Sequence, residues 1–580
     1  MCQEHLNLTI IQDNATVGDI DGNTRLVLDH LEREKDADLV IFPECFLTGY
    51  PLGDLVTRPG FIASVERGID KIRKAVAETG GAAVLVGAPM AGAGLPYNAA
   101  FLIEPSGSMR VVRKRELPNN DVFDERRTFS MSDERPTPLS FRGFNLGIQI
   151  CEDMWHAEVS RGLADELADV LIVLNGSPYQ HGKQDLRTKV ARARVKATGL
   201  PLIYANLVGG QDELVFDGAS FVMNAEGGHI GASAFTPDVI HLRMTRRAEE
   251  AVTLIFYNDF KMKDYPKDTV SADYNACVLG LQDYVKKTGT PHVVVGVSGG
   301  LDSALVLAMA VDALGPDRVI GIMMPSEYTG DESLGLADDL MDRLGVHKQV
   351  LPIGGMFDAV RDATLDSYAE MGTKIGRTSD PSTTQENFQA RLRGLTLMGV
   401  TNALGGIVLS TGNKSEMSVG YATLYGDMNG GFNPLKSVYK SDAFRMAEWR
   451  NTITDLAQGP VIAEPIPSGI ITRPPSAELS EGQTDQASLG DYEILDAVLY
   501  ALIEQKADAP MAARIITAKF GKDEVWKRSG GYNPEPYAEK IAKLVRGAQY
   551  KRDQSCPGVK LNLTDFGLGW RMPIAGRYSL

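Results

Sequence analysis

The sequence predicts an α/β protein built from two domains. Its 580 residues exceed what a single hydrophobic core normally holds. Short β-rich apolar runs alternate with helical patterns in both halves of the chain. Between the halves, the charged stretch 259–270 contains a central proline and breaks the apolar pattern. We therefore predict a first domain over residues 1–260, a linker over 261–270 and a second domain over 271–580.

The first half supplies a series of apolar strand candidates. They cover residues 6–12, 37–42, 81–87, 99–103, 144–150, 170–174, 202–205 and 251–257. Helical patterns lie between some of them, including a stretch capped by Asn23 and the run 189–198. This half therefore has an α/β rhythm.

A second rhythm follows the linker. Strands are predicted over 292–297, 318–324 and 349–353, and helices over 302–313 and 332–344. Such alternation predicts parallel βαβ units with right-handed crossovers. The polar segments 371–387 and 464–483 interrupt it, and in an enzyme such segments are either lids or surface loops.

Composition excludes several classes of protein. With 59 Lys plus Arg against 75 Asp plus Glu, the net charge of −16 repels a phosphate backbone, so we expect no nucleic-acid partner. The start MCQEHLNLTIIQ lacks a secretory pattern and no long apolar run occurs, which predicts no membrane partner. Five cysteines without a CxxC pair indicate a reducing, cytoplasmic setting. Eight histidines without ligand spacing predict no zinc.

Three residues near strand ends are candidates for nucleophilic chemistry. Cys151 ends the run FNLGIQI and begins CEDMW, where a helix N-terminus would favour its thiolate, although a strand-end cysteine is more often a small buried hydrophobe. Glu44 ends the segment IFPE after another strand, at the kind of position where sites of α/β proteins form. The alternative interpretation is an ordinary solvated carboxylate. If MRVVRKRELP is extended, side chains alternate between the two faces of the strand, and Lys114 lies on the face opposite Arg113 and Arg115. The alternative interpretation is that Lys114 is one more exposed lysine.

Taken together, FPE, KRELP and CEDMW resemble the nitrilase superfamily in order and spacing over the first 260 residues. The resemblance implies an αββα sandwich that hydrolyses an amide. Glu44 would act as general base, Cys151 would attack the amide carbon, and Lys114 would help a main-chain amide hold the oxyanion. The products would be a thioester and ammonia.

The glutaminase branch of that superfamily implies further glutamine-binding residues. Glu125 of FDE matches an additional acid, and Tyr50 of LTGY and Ser177 of NGSPY match residues that contact the glutamine. Lys183 stands where some relatives carry arginine, and Asn120 replaces an aromatic residue. These departures leave the contacts to the glutamine carboxylate open.

A glycine-rich loop in the second half predicts a phosphate site. GVSGGLDSAL lies between a strand and a helix, so its main-chain N–H groups face an anion. The loop lacks the Gly-Lys-Ser/Thr of a P-loop and the GxGxxG of a dinucleotide-binding fold. The alternative to a phosphate site is a tight glycine turn that begins a helix. SGGLDS resembles the pyrophosphatase loop of enzymes that split ATP into AMP and pyrophosphate. That resemblance implies ATP contacts from Ser298, Gly299, Gly300, Leu301, Asp302 and Ser303, with Asp302 as a Mg²⁺ ligand.

Farther on, STGNKSEMSVGYATLYGDMNGGFNPL and SVYKSD resemble the NAD synthetase family. The resemblance implies that Glu416 is a metal ligand, that Thr411 lies near the nucleotide, and that Asp427 and Lys440 contact the substrate and a nucleotide phosphate. Asn413 stands where the ammonia-only branch has aspartate.

Two more segments extend the resemblance over nearly the whole chain. ENFQARLRG contributes Asn387 and Arg391 as candidate deamido-NAD contacts, alongside Gln389 and Arg393. The C-terminal PGVKLNLTDFGLGWRMPIAGRY is similar to the tail of the long, glutamine-dependent members.

The family resemblance implies a complete reaction. The first domain would make ammonia from glutamine. The second, a doubly wound parallel α/β domain of the Rossmann-like ATP pyrophosphatase type, would adenylate the nicotinate carboxylate of deamido-NAD and let ammonia displace AMP. We expect Mg²⁺ as cofactor, no zinc, haem or flavin, small-molecule substrates, and a homo-oligomer whose size the sequence does not set.

Three alternatives stay open at this stage. An RNA-modifying enzyme also carries SGGxDS, but it needs a basic face that the net charge of −16 disfavours. A non-catalytic nitrilase scaffold would not require Glu44, Lys114 and Cys151 together. A ligase of the same class acting on another carboxylate, such as xanthosine monophosphate, would share both sites.

Overall fold

The structure is a computed structural model. It describes residues 5–246, 252–256, 265–376, 381–474, 478–480, 489–576 and 578–579. The chain divides into two compact units, Met1–Lys267 and Asp268–Leu580. Part of the predicted linker, residues 261–264, lies outside the described residues. We describe each unit by itself.

The first unit contains two large β-sheets. Among the described residues, the first sheet has seven strands in the order Thr253–Phe256, Asp238–Thr245, His5–Gln12, Leu39–Ile41, Ala83–Met90, Tyr97–Ile103 and Met109–Arg113. The second has six strands in the order His229–Gly231, Phe221–Met223, Leu202–Asn206, Val170–Asn175, Phe144–Ile150 and Leu139–Phe141. The three middle strands of each sheet are parallel, and their neighbours are antiparallel. A hairpin pairs Val208–Gln211 with Leu214–Asp217.

Helices cover the outer faces of both sheets. They are Ile20–Arg33, Pro59–Thr79, Glu125–Thr128, Ala157–Asp165 and Lys183–Thr198, with 3₁₀ helices at Gly53–Thr57 and Cys151–Trp155. Alternate residues such as Leu8 and Ile172 share one core between the sheets. Val27 packs with the outer side of the first sheet and Val195 with that of the second. These four layers confirm the αββα sandwich.

The second unit is built on a parallel sheet. Among its described residues, the four strands lie in the order His347–Val350, Val319–Met323, Val293–Gly296 and Ile407–Leu409. From Val293–Gly296, the chain adds Val319–Met323 and then His347–Val350 on one side. It then crosses back and adds Ile407–Leu409 on the other side of Val293–Gly296. Because right-handed crossovers in opposite directions lie on opposite faces, this order confirms the doubly wound topology.

Helices surround this sheet and extend beyond it. They are Thr269–Lys287, Leu301–Leu314, Asp331–Leu344, Gly354–Lys374, Pro381–Leu404, Lys414–Val419, Lys440–Arg450, Ser468–Thr472, Tyr492–Ile503, Ala509–Phe520, Lys522–Arg528, Pro534–Gly547 and Gln549–Arg552. A 3₁₀ turn, Pro316–Arg318, and a two-stranded ribbon, Asp455–Leu456 with Gly459–Pro460, complete the regular structure. None of the helices in the described part of the chain is both long and apolar enough to span a bilayer.

Two predictions about local structure are wrong. The segment 371–387, predicted as a loop, is largely helical, because Gly354–Lys374 ends inside it and Pro381–Leu404 begins there. Pro381 is compatible with the first turn of the second helix. Neither helix has the apolar stripe by which an amphipathic helix is identified in a sequence. The third strand predicted in the second half covers His347–Val350 rather than 349–353. Its residues are exposed, so the sequence lacks the apolar pattern of a buried strand.

A close backbone contact brings the loop after strand Leu39–Ile41 against the neighbouring strand. Gly87 lies in strand Ala83–Met90, and its N–H donates to the carbonyl of Pro43 at 3.2 Å. A Cβ atom at Gly87 would lie 2.4 Å from the nitrogen of Cys45 and 2.6 Å from the oxygen of Pro43. Only glycine therefore fits at this position.

We predict that Gly87→Ala lowers the free energy of unfolding by about 1 to 3 kcal/mol, because the added methyl forces the neighbouring backbone apart. Chemical denaturation of the full chain measures this. The matched control is Gly60→Ala, where no heavy atom lies within 4 Å of the added Cβ. Equal stability of the two variants would contradict the close approach.

Candidate active sites

The first site is centred on a fully buried lysine. The Nζ of Lys114 lies 2.7 Å from Oε1 of Glu44 and 2.8 Å from Oε2 of Glu125. Lys114 directly follows strand Met109–Arg113, and its side chain is 0% exposed. Burial lowers the pKa of Lys114, but the charges of Glu125 and Glu44 outweigh it, so the net pKa lies well above the usual value. The lysine therefore stays charged inside the protein.

Glu44 is held by donors on all sides. Besides Lys114, its Oε1 accepts from Nδ2 of Asn98 at 2.8 Å, and its Oε2 accepts from the main-chain N–H of Gly176 at 2.8 Å. Three N–H donors therefore fix both oxygens of this fully buried carboxylate. The geometry suits a group that takes a proton from a neighbour.

Cys151 lies at the end of strand Phe144–Ile150 and is 8% exposed. Its backbone has a φ of 45°, a left-handed conformation that is rare for a non-glycine residue and often marks functional positions. Burial, and next the charge of Glu44, raise the pKa of its thiol well above the usual value, although Lys114 opposes this. The expectation that a helix N-terminus favours the thiolate is therefore wrong. Only a five-residue 3₁₀ helix follows, and burial dominates.

Asp153 joins the cysteine segment to the lysine segment. Its Oδ2 accepts from the N–H of Ile150 at 3.0 Å, and its Oδ1 accepts from the N–H groups of Arg115 and Glu116 at 3.0 and 2.9 Å. These donors flank Cys151 on one side and Lys114 on the other. Burial raises the pKa of Asp153 to about 6. Sequence reasoning missed this residue.

The predicted glutamine-binding residues fall into two groups. Tyr50 is buried, and its hydroxyl donates to Oε1 of Glu125 at 2.8 Å. The Nζ of Lys183 lies 4.9 Å from the ring centre of Trp155, and burial, then Arg187, lower its pKa. Asn120, in contrast, is exposed, and its main-chain carbonyl accepts a hydrogen bond from the N–H of Phe123. The roles of these residues in binding glutamine stay predictions.

Ser177 is fixed by a buried ion pair that the sequence did not reveal. The guanidinium of Arg187 donates to Oγ of Ser177 at 3.0 Å and to its carbonyl at 2.7 Å. Asp217 accepts from Arg187 at 2.8 Å, and both side chains are 0% exposed. The hydroxyl of Tyr265 also donates to Asp217, at 2.9 Å.

The second site begins at the predicted phosphate loop. Gly299 has a φ of 80°, and a Cβ atom there would lie 2.3 Å from the carbonyl oxygen of Ser333. Within the described residues, no side chain caps the helix Leu301–Leu314 that follows. The N–H groups of its first turn are therefore placed to meet an anion, as the sequence predicts.

A cavity of about 290 Å³ lies at this end of the sheet, where the winding direction reverses. It is lined by every predicted ATP contact, namely Ser298, Gly299, Gly300, Leu301, Asp302, Ser303 and Thr411, and also by Glu416, Asp427 and Lys440. Asn387 and Arg391 do not line it. Oδ1 of Asn387 accepts from the hydroxyl of Thr423 at 2.9 Å, while Arg391 lines a separate, mainly apolar hollow. Their assignment to deamido-NAD stays a prediction.

Two carboxylates face this cavity around one lysine. The Nζ of Lys440 forms ion pairs with Oδ2 of Asp302 and, at 3.2 Å, with Oε1 of Glu416. Nδ2 of Asn413 donates to the other oxygen of Asp302 at 3.2 Å, and its Oδ1 accepts from the N–H of Glu416 at 3.0 Å. This arrangement concentrates charge where the phosphate loop ends.

Further cavity residues come from a segment that the sequence marked only as an insertion. Arg473 and Glu478 form an ion pair at 2.8 Å, and the hydroxyl of Ser333 donates to Glu478 at 2.6 Å. All three line the cavity. The predicted role of 464–483 as a lid stays a prediction, because residues 475–477 and 481–483 lie outside the described part of the chain.

Two family models match the two units. A carbon-nitrogen hydrolase model matches residues 7–250, and an NAD synthase model matches residues 273–555. The protein is 42% identical to the glutamine-dependent NAD(+) synthetase of Rhodobacter capsulatus, and the alignment covers 99% of both chains. The corresponding protein of Thermotoga maritima is 36% identical, again with 99% of both chains covered.

A solved structure agrees over the same length. It is the glutamine-dependent NAD+ synthetase from Acinetobacter baumannii in complex with ADP, which is 34% identical, with a TM-score of 0.72 and 98% of both chains covered. The two units thus define a carbon–nitrogen ligase that carries its own amidase. More specifically, the chain belongs to the glutamine-dependent NAD(+) synthetase family.

The raised pKa of Cys151 predicts a slow reaction with iodoacetamide at neutral pH. The thiolate is the reactive form, and its fraction grows about tenfold per pH unit below the pKa. We expect the alkylation rate of Cys151, followed by peptide mass spectrometry, to keep rising beyond pH 9. Glutathione in the same buffers is the control. A plateau below pH 8 would show a stable thiolate and contradict the structure.

Proposed function

We propose that this protein makes NAD by amidating deamido-NAD, with glutamine as the nitrogen donor and ATP as the energy source. The observation that carries the proposal is that one chain holds both a buried Glu–Lys–Cys group and a phosphate loop opening into an acid-lined cavity. Membership of the glutamine-dependent NAD(+) synthetase family gives the same reaction. The glutaminase domain would cover 1–260 and the synthetase domain 271–580.

In the first unit, the reaction starts from a protonated thiol. Because the pKa of Cys151 is raised, a base must remove its proton as the sulfur attacks the amide carbon of glutamine. We assign this role to Glu44, whose two oxygens are held in place by hydrogen bonds from Lys114 and Gly176. The same proton then leaves with ammonia, and water hydrolyses the thioester to glutamate.

Lys114 has two roles in this proposal. Its charge holds Glu44 and Glu125 together, and it adds positive potential where the oxyanion of the tetrahedral intermediate forms. Tyr50, Ser177 and Lys183 are our candidates for glutamine binding, and Cys151 is among the groups that influence the pKa values of Tyr50 and Lys183. Asn120 belongs to the proposal through the family resemblance alone.

In the second unit, the loop and the cavity support nucleotide chemistry. The main-chain N–H groups after Gly299 would bind phosphate oxygens of ATP, and Thr411 would contact the nucleotide. The nicotinate carboxylate would attack the α-phosphorus, pyrophosphate would leave, and ammonia would then displace AMP. The relative from Acinetobacter baumannii was solved with ADP, which supports a nucleotide site. Asn387, Arg391, Asp427 and Lys440 remain our candidates for deamido-NAD binding.

The residues around Lys440 suit a magnesium ion. Asp302 and Glu416 are carboxylates, their side chains are 17% and 16% exposed, and both face the cavity. Oxygen ligands of this kind are what Mg²⁺ prefers. These two carboxylates would hold the ion, which would supply positive charge for the phosphate oxygens of the substrate. Lys440 supplies a second positive charge at the same place.

Two further features belong to the proposal. We propose a homo-oligomer, because helix Pro381–Leu404 exposes apolar side chains, with Leu395 64% and Leu404 59% exposed. Analytical ultracentrifugation tests this. We also keep a cytoplasmic location, on the grounds that the five cysteines of the sequence include no CxxC pair.

Cys151→Ala should abolish glutamine-dependent NAD formation and leave synthesis from high ammonium largely intact, because only the nucleophile of the first site is lost. Glu44→Ala and Lys114→Ala should give the same split. NAD is measured with each nitrogen donor in turn, and Cys556→Ala serves as the control cysteine variant. Retention of the glutamine-driven rate in Cys151→Ala would refute the assignment.

Asp302→Ala and Glu416→Ala should each lower NAD formation at least 100-fold with either nitrogen donor, because both serve the adenylation step. Asp317, an exposed acid just beyond helix Leu301–Leu314, provides the matched control as Asp317→Ala. Pyrophosphate release reports adenylation directly. Near-normal ammonium-dependent synthesis in the first two variants would remove them from the site.

A further inference from the structure

Asn98 lies in the first site but belongs to none of the motifs described above. It is the second residue of strand Tyr97–Ile103, and its side chain is 0% exposed. A buried amide must satisfy its donors and acceptors with protein groups, because no water reaches them in bulk. The partners of Asn98 therefore indicate what it does.

Asn98 touches the three charged residues of the site. Its Nδ2 donates to Oε1 of Glu44 at 2.8 Å and to Oε1 of Glu125 at 3.4 Å. Its main-chain carbonyl accepts from the N–H of Lys114 at 2.8 Å. The thiol of Cys45 donates to Oδ1 at 3.5 Å. Because carboxylates only accept, the amide nitrogen must be the atom that faces them.

The charges explain why an uncharged donor is useful at this point. Two buried carboxylates share one lysine, so the group carries an excess negative charge if both acids are ionised. Burial, opposed by Lys114, raises the pKa of Glu125. An amide placed between the two acids stabilises negative charge on both without adding charge of its own. A second lysine would instead compete for Glu44.

We propose that Asn98 is a positioning residue that holds the carboxylate of Glu44 in the orientation needed to take the proton of Cys151. This inference rests on the proposed glutaminase function of the site. Asn98 bonds Oε1 of Glu44 while Gly176 bonds Oε2, so the plane of the carboxylate is fixed from both sides. Asn98 acts through Glu44 and has no contact with the thiol of Cys151 among the bonds described.

The titratable groups around Glu44 are those a pH experiment must consider. They are Lys114 and Glu125, the thiols of Cys45 and Cys151, and the hydroxyl of Tyr50. Burial, and the charges of Glu44 and Glu125, raise the pKa values of Cys45 and Tyr50 well above their usual values. Besides these groups, Asp153, whose pKa burial raises to about 6, is a carboxyl group of this site that changes charge below pH 8.

The test compares Asn98→Leu, which keeps the branched shape of the side chain but removes the donor, with Asn98→Ala. Glutaminase kcat/KM is measured from pH 5 to 9 on the full chain. We expect the acid limb to move upward by at least about half a pH unit in both variants, because each carboxylate loses a donor and is protonated more easily. We expect kcat to fall about 10- to 100-fold, with KM for glutamine within about threefold.

The matched control is Asn23→Leu. Asn23 is 1% exposed in the same unit, and its Nδ2 donates only to the main-chain carbonyls of Thr16 and Leu47. It should lose stability without a shift of the acid limb. Ammonium-dependent NAD synthesis should be unchanged in all three variants.

Several outcomes would overturn the inference. One is an unshifted acid limb in both Asn98 variants, whether activity is normal or falls only in parallel with thermal stability. Failure of even Asn98→Ala to fold would also overturn it, because a positioning residue tolerates truncation. Glutaminase activity that persists in Cys151→Ala would instead refute the proposed function, so the two failures are distinguishable.

Discussion

The charge of Lys114 is the interaction on which the first unit depends. An ammonium buried at 0% exposure is stable only with its two carboxylates in place, since losing one partner of a buried pair costs about 3 to 5 kcal/mol. Glu44, Lys114 and Glu125 follow different strands or loops, so the sandwich must bring these segments together to fold. The same requirement places Glu44, our proposed general base, where its charge acts on the thiol of Cys151. One set of contacts therefore serves both folding and the proposed chemistry.

The second unit uses a similar arrangement for a different purpose. Lys440 also lies between two carboxylates, Asp302 and Glu416, but these face a cavity beside the phosphate loop. The buried Lys114 holds Glu44 in place, whereas Lys440 lines a cavity, where the proposed function has it contact a phosphate. The doubly wound sheet makes this possible, because the loop after Val293–Gly296 and the residues after Ile407–Leu409 meet where the winding reverses.

Much of this was predictable from the sequence, because strand ends and glycine-rich turns leave local signals. The segments carrying Glu44, Cys151 and Asp302 follow apolar runs that the structure forms as strands. Asn98 and Asp153 gave no such signal, since most of their hydrogen bonds join residues 27 to 54 positions away in the sequence. The raised pKa of Cys151 could not be predicted from its neighbours in the sequence either. It results mainly from burial, which depends on how the whole unit folds around the thiol.

In this protein, one chain moves nitrogen from glutamine to the nicotinate carboxylate. The decisive measurement uses glutamine labelled with ¹⁵N in its amide, with ATP, Mg²⁺ and deamido-NAD in buffer free of added ammonium and Cys151→Ala as the blank. We expect NAD carrying a single ¹⁵N in its amide and one glutamate released for each NAD formed. Unlabelled NAD, or labelled NAD formed equally by the Cys151→Ala variant, would contradict it.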